Sequence, residues 1–114
     1  MQLFTDEQRE RLLDNGRRTA AGERLDPEPV VKLFTPDASA TWLLTELSPN
    51  DPDIAFGLCD LGLGFPEIGY VSVTEIRMLR GHLGLPVERD LGFVAKHPLS
   101  VYAQRARIDR AIRA

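Results

Sequence analysis

Two apolar runs, separated by glycines and a proline, dominate the middle of the chain. They span residues 54–61 and 68–73, with Gly62, Gly64 and Pro66 between them. Runs of this length around a Gly/Pro break are typical of two strands joined by a tight connection. Two earlier runs, over residues 30–35 and 40–47, have the β-branched and aromatic residues that strands favour. The pattern therefore predicts four consecutive strands.

A helix is expected before the first strand. Thr5 and Gln8 have the spacing of a capping box, and the acids between them favour a helix N-terminus. We predict a helix over residues 6–15 that stops at an Asn-Gly pair, because these residue types accept the left-handed conformation that ends helices. Residues 17–29 lack a clear period and contain two prolines, which predicts an irregular surface linker.

Two more helices and a fifth strand are expected after the four strands. Ser72 and Glu75 repeat the capping-box spacing, which predicts a short helix over residues 73–80. A further apolar run predicts a fifth strand over residues 90–96. A last helix is expected over residues 98–113, with proline acceptable in its first turn.

The lengths of the chain and its loops define the predicted fold. The loops between the four strands are short, and a parallel return needs a crossover of about a dozen residues, so an antiparallel meander is favoured. A chain of 114 residues has the size of one domain. We predict a single α+β domain over residues 1–114. Its antiparallel meander sheet has four to five strands, and it has N-terminal, middle and C-terminal helices.

Simple hairpins would place four notable residues in one row across this sheet. The row is Leu33, Trp42, Cys59 and Tyr70, and alternation of side chains puts Leu43 on the opposite face, which is the expected main core. Aromatic rings around a thiol are one way to build a binding floor. The alternative is a second packed layer covered by the terminal helices, since Trp and Tyr suit half-covered positions.

The distribution of charge points to a partner. The net charge is −3, yet no Lys or Arg occurs between Lys32 and Arg77, and this acid-only interval carries seven acids. Those in predicted loops are expected to be exposed: Asp37, Asp51, Asp53 and Glu67. Such a surface would bind a basic protein partner. The alternative is that these acids only solubilise the sheet and cap its turns.

Catalytic chemistry would depend on four polar residues in the central stretch. A pocket near Cys59, Asp60, Glu67 and Tyr70 would be the site of a small-molecule hydrolase or transferase. A cysteine nucleophile needs a general base beside it, and neither of the two histidines shares a strand row with Cys59. A buried, slowly reacting thiol is therefore expected.

The sequence predicts no metal or cofactor. Asp51 and Asp53 offer oxygen ligands, but the spacing of a calcium loop is absent. One cysteine and two scattered histidines do not form a zinc motif, and the central glycines match neither nucleotide-binding fingerprint. The four C-terminal arginines spread around the last helix, so direct nucleic-acid binding is not expected.

The expected cellular location follows from the absence of signal-peptide and membrane-spanning patterns in the sequence. The N-terminal segment is polar, without the apolar run of a signal peptide, and no stretch approaches the roughly 20 apolar residues of a membrane span. One cysteine cannot form an internal disulfide. We expect a cytoplasmic protein with no membrane contact, and the oligomeric state stays open.

The chain resembles a small bacterial family known only as a domain of unknown function, DUF2958. The resemblance lies in the segments VKLFTPD, ATWLLTEL, DPDIAFGLCDLGLGFPEIGYVS, RDLGF and PLSVYA, and it covers most of the chain. It implies an origin on plasmids and other mobile elements, and it implies no activity and no catalytic residues. Two functions therefore stay open: a non-catalytic binding or accessory module with an acidic central surface, or the small-molecule enzyme described above.

Overall fold

The computed structural model describes residues 2–114, which form one five-stranded antiparallel sheet and three α-helices. The helices are α1 (Asp6–Ala20), α2 (Val73–Met78) and α3 (Leu99–Asp109). The strands are β1 (Val31–Phe34), β2 (Thr41–Leu47), β3 (Ile54–Asp60), β4 (Glu67–Ser72) and β5 (Glu88–Arg89), in the order β4-β3-β2-β1-β5. The predicted α+β meander with N-terminal, middle and C-terminal helices is confirmed.

Helix α1 begins at the predicted capping box but runs past the predicted stop. The Thr5 and Gln8 side chains each accept a hydrogen bond from the other residue's amide, at 3.0 Å. The Asn-Gly pair docks the helix on β2 instead of ending it: Asn15 Nδ2 donates to the Thr45 carbonyl at 2.9 Å, and a Cβ on Gly16 would lie 1.9 Å from the Leu47 carbonyl oxygen. Gly16 is therefore needed for close approach, and residues 17–20 are helical where a linker was predicted.

The fifth strand exists but lies before the predicted segment. Glu88 and Arg89 pair with β1, and the Asp90 amide still donates to the Lys32 carbonyl at 2.9 Å. The chain then turns, because Asp90 Oδ1 accepts a hydrogen bond from the Gly92 amide at 2.9 Å. The prediction of a strand over residues 90–96 is wrong, since this aspartate and glycine form a turn after Asp90.

The later helices follow their sequence signals. Ser72 Oγ accepts a hydrogen bond from the Glu75 amide at 3.2 Å and caps α2. Helix α3 starts directly after Pro98, and Arg110 ends it in the left-handed conformation with φ 60°. The predicted C-terminal helix is thus present and four residues shorter at its end than expected, since the expectation ran to residue 113.

The predicted row is right across the first three strands and wrong at the fourth, and a bulge between Leu44 and Glu46 shifts the β2–β3 pairing beyond the row. Leu33 lies opposite Trp42, and Trp42 lies opposite Cys59, as expected. Cys59 lies opposite Glu67, whereas Tyr70 lies opposite Phe56. The β3–β4 connection is not a tight hairpin turn, and the pairing of the two strands is shifted by three residues from the predicted register. An odd shift moves Tyr70 to the other face of the sheet.

The two faces of the sheet carry separate hydrophobic clusters. The face with Trp42, here called the α1 face, holds the larger cluster, in which Leu12 of α1 and Val73 of α2 take part. The opposite face, here called the α3 face, packs Leu43 and Leu58 against α3 in a smaller cluster. The expectation that the main core faces away from Trp42 is wrong, because α1, α2 and the N-terminal segment all cover the Trp42 side.

Candidate functional site

Trp42 is part of the core and not of a binding floor. Only 1% of its surface is exposed, and its neighbours in the α1-face cluster include Leu33, Leu44 and Ala55. The predicted row ends at Cys59, because Tyr70 lies on the α3 face with 72% of its surface exposed. The sequence-predicted binding residues Trp42 and Tyr70 therefore do not meet.

Cys59 and Glu67 face each other across β3 and β4. The thiol is partly buried, where a buried thiol was predicted. Burial, assisted by the negative charge of Glu67, raises the pKa of the Cys59 thiol to about 11. The thiol is therefore protonated near neutral pH and is a poor nucleophile. His97 is not beside the thiol: its ring packs on Tyr102 of α3, with centroids 5.6 Å apart, whereas Cys59 packs on the α1 face.

Asp60 has a structural role on the α3 face. It is 3% exposed, and its Oδ1 accepts a hydrogen bond from the Gly62 amide at 2.8 Å. Its Oδ2 accepts from the Ile112 amide at 2.9 Å and so ties the segment after α3 to the end of β3. Strand alternation puts Asp60 on the opposite face from Cys59. The four residues of the predicted catalytic pocket are thus divided between the two faces of the sheet: Cys59 and Glu67 lie on the α1 face, and Asp60 and Tyr70 lie on the α3 face.

Asp53 and Asp51 shape the turn before β3. Asp53 Oδ1 accepts hydrogen bonds from the Thr74 hydroxyl at 2.6 Å and amide at 2.8 Å, and Oδ2 accepts from the Ser72 hydroxyl at 2.7 Å. These bonds, those of Thr74 foremost, lower the pKa of the Asp53 carboxyl. Asp51 Oδ1 accepts from the Asp53 amide at 3.1 Å. Over residues 2–114 no three His, Cys, Asp or Glu side chains are grouped to hold a metal ion.

Asp37 holds the loop between α2 and β5. Its Oδ2 accepts hydrogen bonds from the Leu83 amide at 2.7 Å and the Leu85 amide at 3.1 Å. Burial acts to raise the pKa of this carboxyl, but the amide bonds outweigh burial and lower it. Asp37 and Asp53 are partly buried, so the prediction that all four loop acids are exposed holds only for Asp51 and Glu67. The acid-only interval does not form one free acidic surface.

An exposed apolar surface lies where the predicted catalytic pocket was expected. We call it the β4-edge surface, and it consists of large side chains of β4 and of the turn before it. Their exposed fractions are 60% for Leu61, 75% for Leu63, 77% for Phe65, 44% for Ile68 and 72% for Tyr70. The Tyr70 ring rests on Phe56, with ring centroids 5.0 Å apart. Strand β4 is also an outer strand of the sheet.

A cleft of about 750 Å³ separates this surface from α3. Its walls include Phe65 and Ile68 on one side and Ala103, Arg107 and Arg110 on the other. Both arginines are exposed, and neither has an ion pair within residues 2–114. Sequence reasoning missed this cleft, although the apolar residues of the segment LGLGF, in a turn where polar residues are usual, were a signal.

The fold defines a small α+β protein with one open-edged antiparallel sheet. The chain belongs to the family described as "Protein of unknown function (DUF2958)", whose family model matches residues 3–113. Neither the curated proteins nor the solved structures contain a match to it. Among residues 2–114, no helix has the length and apolar character that crossing a membrane requires.

Proposed function

We propose that this domain is a non-catalytic protein-binding module and that its contact surface is the β4-edge surface. The observation that carries the proposal is the exposure of five large apolar side chains within residues 61–70. Apolar side chains exposed in such a group, in a soluble domain, are typical of interaction sites. The cleft beside them and its unpaired arginines add polar groups at the rim, which is the usual composition of a protein interface.

A basic partner for the acid-only interval stays a prediction. The exposed acids Asp51, Glu67 and Glu75 could contribute to such a contact. Asp53 and Asp60 of the same interval accept hydrogen bonds inside the fold. Fewer carboxylates are therefore available to a partner than the sequence alone predicted. We therefore place the main contact on the apolar surface. A cytoplasmic location and an origin on bacterial mobile elements belong to the same proposal.

The alternative function, a small-molecule hydrolase or transferase, has weaker support. It needs Cys59, Asp60, Glu67 and Tyr70 in one pocket. Cys59 and Glu67 lie on the α1 face, whereas Asp60 and Tyr70 lie on the α3 face. A thiol with a raised pKa also lacks the activation that a nucleophile needs.

The test compares two pairs of exposed apolar residues. The tagged full chain is purified from its native host as wild type, as Leu63→Ser/Tyr70→Ser, and as Leu91→Ser/Val94→Ser. Leu91 and Val94 are each 74% exposed, which matches Leu63 and Tyr70 closely, but they lie outside the β4-edge surface. We expect one partner to co-purify with the wild type and the control pair and to be lost from the first pair.

The identified partner is then purified, and its Kd is measured by calorimetry for all three forms. We expect the Leu63/Tyr70 pair to weaken binding more than about tenfold and the Leu91/Val94 pair to change it less than about twofold. Equal effects of the two pairs, or a partner that binds all three forms alike, would rule out the β4-edge surface as the contact.

A further inference from the structure

We propose that β4 binds an extended, acidic segment of its protein partner as an added strand of the sheet. This inference rests on the proposed function, and it adds the binding mode and the chemistry of the partner. In this mode the main chain of the segment pairs with the outer side of β4. On the α3 face its apolar side chains contact Ile68 and Tyr70, and carboxylates on the same face meet Arg107 and Arg110.

The outer side of β4 has free backbone groups. The Val73 amide donates to the Asp53 carbonyl at 2.7 Å, which continues the β3–β4 ladder as a hydrogen-bonded pair. Hydrogen-bonded and non-hydrogen-bonded pairs alternate in antiparallel sheets. Ile68 and Tyr70 therefore direct their N–H and C=O groups away from β3, to a side where no described strand lies.

Strand β4 lacks the features that usually protect an edge. It is six residues long, contains no proline and no lysine, and pairs with β3 without a bulge. Proline, lysine, bulges and short length are the common ways to prevent strand addition. The opposite edge differs, because β5 has only two residues and the chain turns at Asp90. The sheet is thus open to strand addition at β4.

The side chains of β4 leave the α3-face layer unfinished. Ile68 lies opposite Leu58, and Tyr70 lies opposite Phe56, so both continue this layer towards the edge. They remain 44% and 72% exposed, since no further strand covers them. Alternate side chains of an added strand would lie beside these two residues and cover them.

Charge decides between an acidic segment and a second copy of this chain. Arg107 and Arg110 border the cleft next to Ile68 without an ion pair among the described residues. Glu67, the one acid of β4, also borders this cleft, but it pairs across from Cys59, and it forms no ion pair with either arginine among the described residues. A two-fold pairing of β4 with itself would bring the same arginines of two α3 helices to one face. An acidic segment removes that repulsion and supplies the missing counter-charges.

Two synthetic peptides test the binding mode directly. In one peptide of about ten residues, valine and glutamate take turns at every second position and threonine fills the positions between, so that valine and glutamate share one face of the strand. In its counterpart lysine replaces glutamate, and either peptide is long enough to cover β4. Binding to the full chain is measured by fluorescence polarisation at low and high salt. We expect the glutamate peptide to bind at least about tenfold more tightly than the lysine peptide and to weaken as salt rises.

Matched variants separate the charge from the backbone contribution. Arg107→Glu should weaken binding of the glutamate peptide at least about fivefold, which corresponds to about 1 kcal/mol. Arg105→Glu is the control: it makes the same charge change in the same helix, but Arg105 lines a different cleft. Tyr70→Pro should weaken binding more than Tyr70→Ala, because both remove the ring and only proline removes the outward amide.

The outcomes distinguish the binding mode from the proposed function. Equal binding of both peptides, equal effects of Arg107→Glu and Arg105→Glu, or equal effects of Tyr70→Pro and Tyr70→Ala would overturn strand addition. If Tyr70→Pro does not fold, hydrogen exchange replaces it: the Ile68 and Tyr70 amides of the wild type must become protected by the glutamate peptide, and unchanged exchange overturns the inference.

Two further results would also reject the acidic segment. A dimer in sedimentation that dissociates on Tyr70→Ala would assign the edge to a second copy. If neither peptide binds while the native partner still depends on Leu63 and Tyr70, strand addition is wrong and the protein-binding function stands.

Discussion

The centre of the sheet and its β4 edge use apolar residues in opposite ways. Around Trp42 the α1 face is closed, and helix α1 lies so near β2 that a Cβ on Gly16 would collide with the Leu47 carbonyl. At the β4 edge, Phe65 and Tyr70 have more than 70% of their surface exposed. Both regions belong to one sheet and are joined through β3.

This contrast indicates that the apolar residues of the edge contribute less to folding than those of the core. The buried α1 face has Leu33, Leu44 and Leu47 at 0% exposure, so the core is complete without the edge. Apolar side chains stabilise a fold when they are buried away from water. Exposed apolar side chains give this stabilisation only when a partner covers them. The comparison therefore separates a buried region that stabilises the fold from an exposed region that we propose as the contact surface, and four measurements can sharpen or break it.

The largest difference is expected between the two aromatic residues that the simple register placed in one row. Trp42→Ala should lower the free energy of unfolding by about 3–5 kcal/mol, because a fully buried ring leaves a cavity. Tyr70→Ala should cost less than about 1.5 kcal/mol, the order of its contact with Phe56. Urea unfolding measures both. Similar losses for the two variants would contradict the separation into core and edge.

The reactivity of Cys59 tests how closed the α1 face is beside β4. With a pKa of about 11 against an ordinary 9.0, its thiolate fraction at pH 8 is lower by about 100-fold. Labelling by a disulfide reagent in the native protein should be slower by about this factor than in urea. Because the folded pKa is raised, the rate should keep rising with pH above 9. Labelling as fast as that of a free thiol would show that this part of the sheet is open.

Gly16→Ala tests the close contact of α1 with β2. The added methyl group meets backbone atoms, which cannot move aside as a side chain does, so we expect a loss of about 1–3 kcal/mol despite the better helix propensity of alanine. Gly22→Ala is unsuitable as a control, since its φ of 95° adds strain. Ser100→Ala is unsuitable too, since its hydroxyl bonds Asp26. Thr74→Ala in α2 likewise loses a hydrogen bond. The control is therefore Gln104→Ala, at an exposed site in α3, which should leave the free energy of unfolding nearly unchanged.

The smallest effect is expected at the turn before β3. The pKa of Asp53 is lowered in the folded state, so its stabilising contribution is present above the unfolded pKa of about 3.9 and is lost as pH falls through the lower folded value. Asp53→Asn should therefore be less stable than wild type at pH 7, and the difference should shrink below about pH 4.

Asp14→Asn is the control for this comparison. Asp14 is an exposed carboxylate to which the described structure assigns no hydrogen bond, so a much smaller loss at pH 7 is expected. A difference between Asp53→Asn and wild type that persists unchanged to pH 3 would mean that the carboxylate does not act through its charge.

Local signals predicted much of the fold because the responsible interactions are short in sequence. Thr5 and Ser72 cap helices within three residues. The simple hairpin register placed Leu33, Trp42 and Cys59 correctly, although a bulge between Leu44 and Glu46 shifts the pairing next to the β2–β3 loop. The candidate site was predicted less well. The prediction placed Tyr70 and Cys59 side by side. The two glycines of the β3–β4 turn do not determine which residues of the two strands pair, and a register shift of three residues puts Tyr70 and Cys59 on opposite faces.

The sequence by itself therefore determined the fold class, the order of its elements and the family to which the chain belongs. Tertiary structure alone decided where α1 ends, which face is the larger core and which acids are free. Asn15 bonds Thr45 thirty residues away, and Asp60 bonds Ile112 fifty-two residues away. Such contacts depend on packing between distant segments, and local patterns carry no information about the partner that a side chain will find.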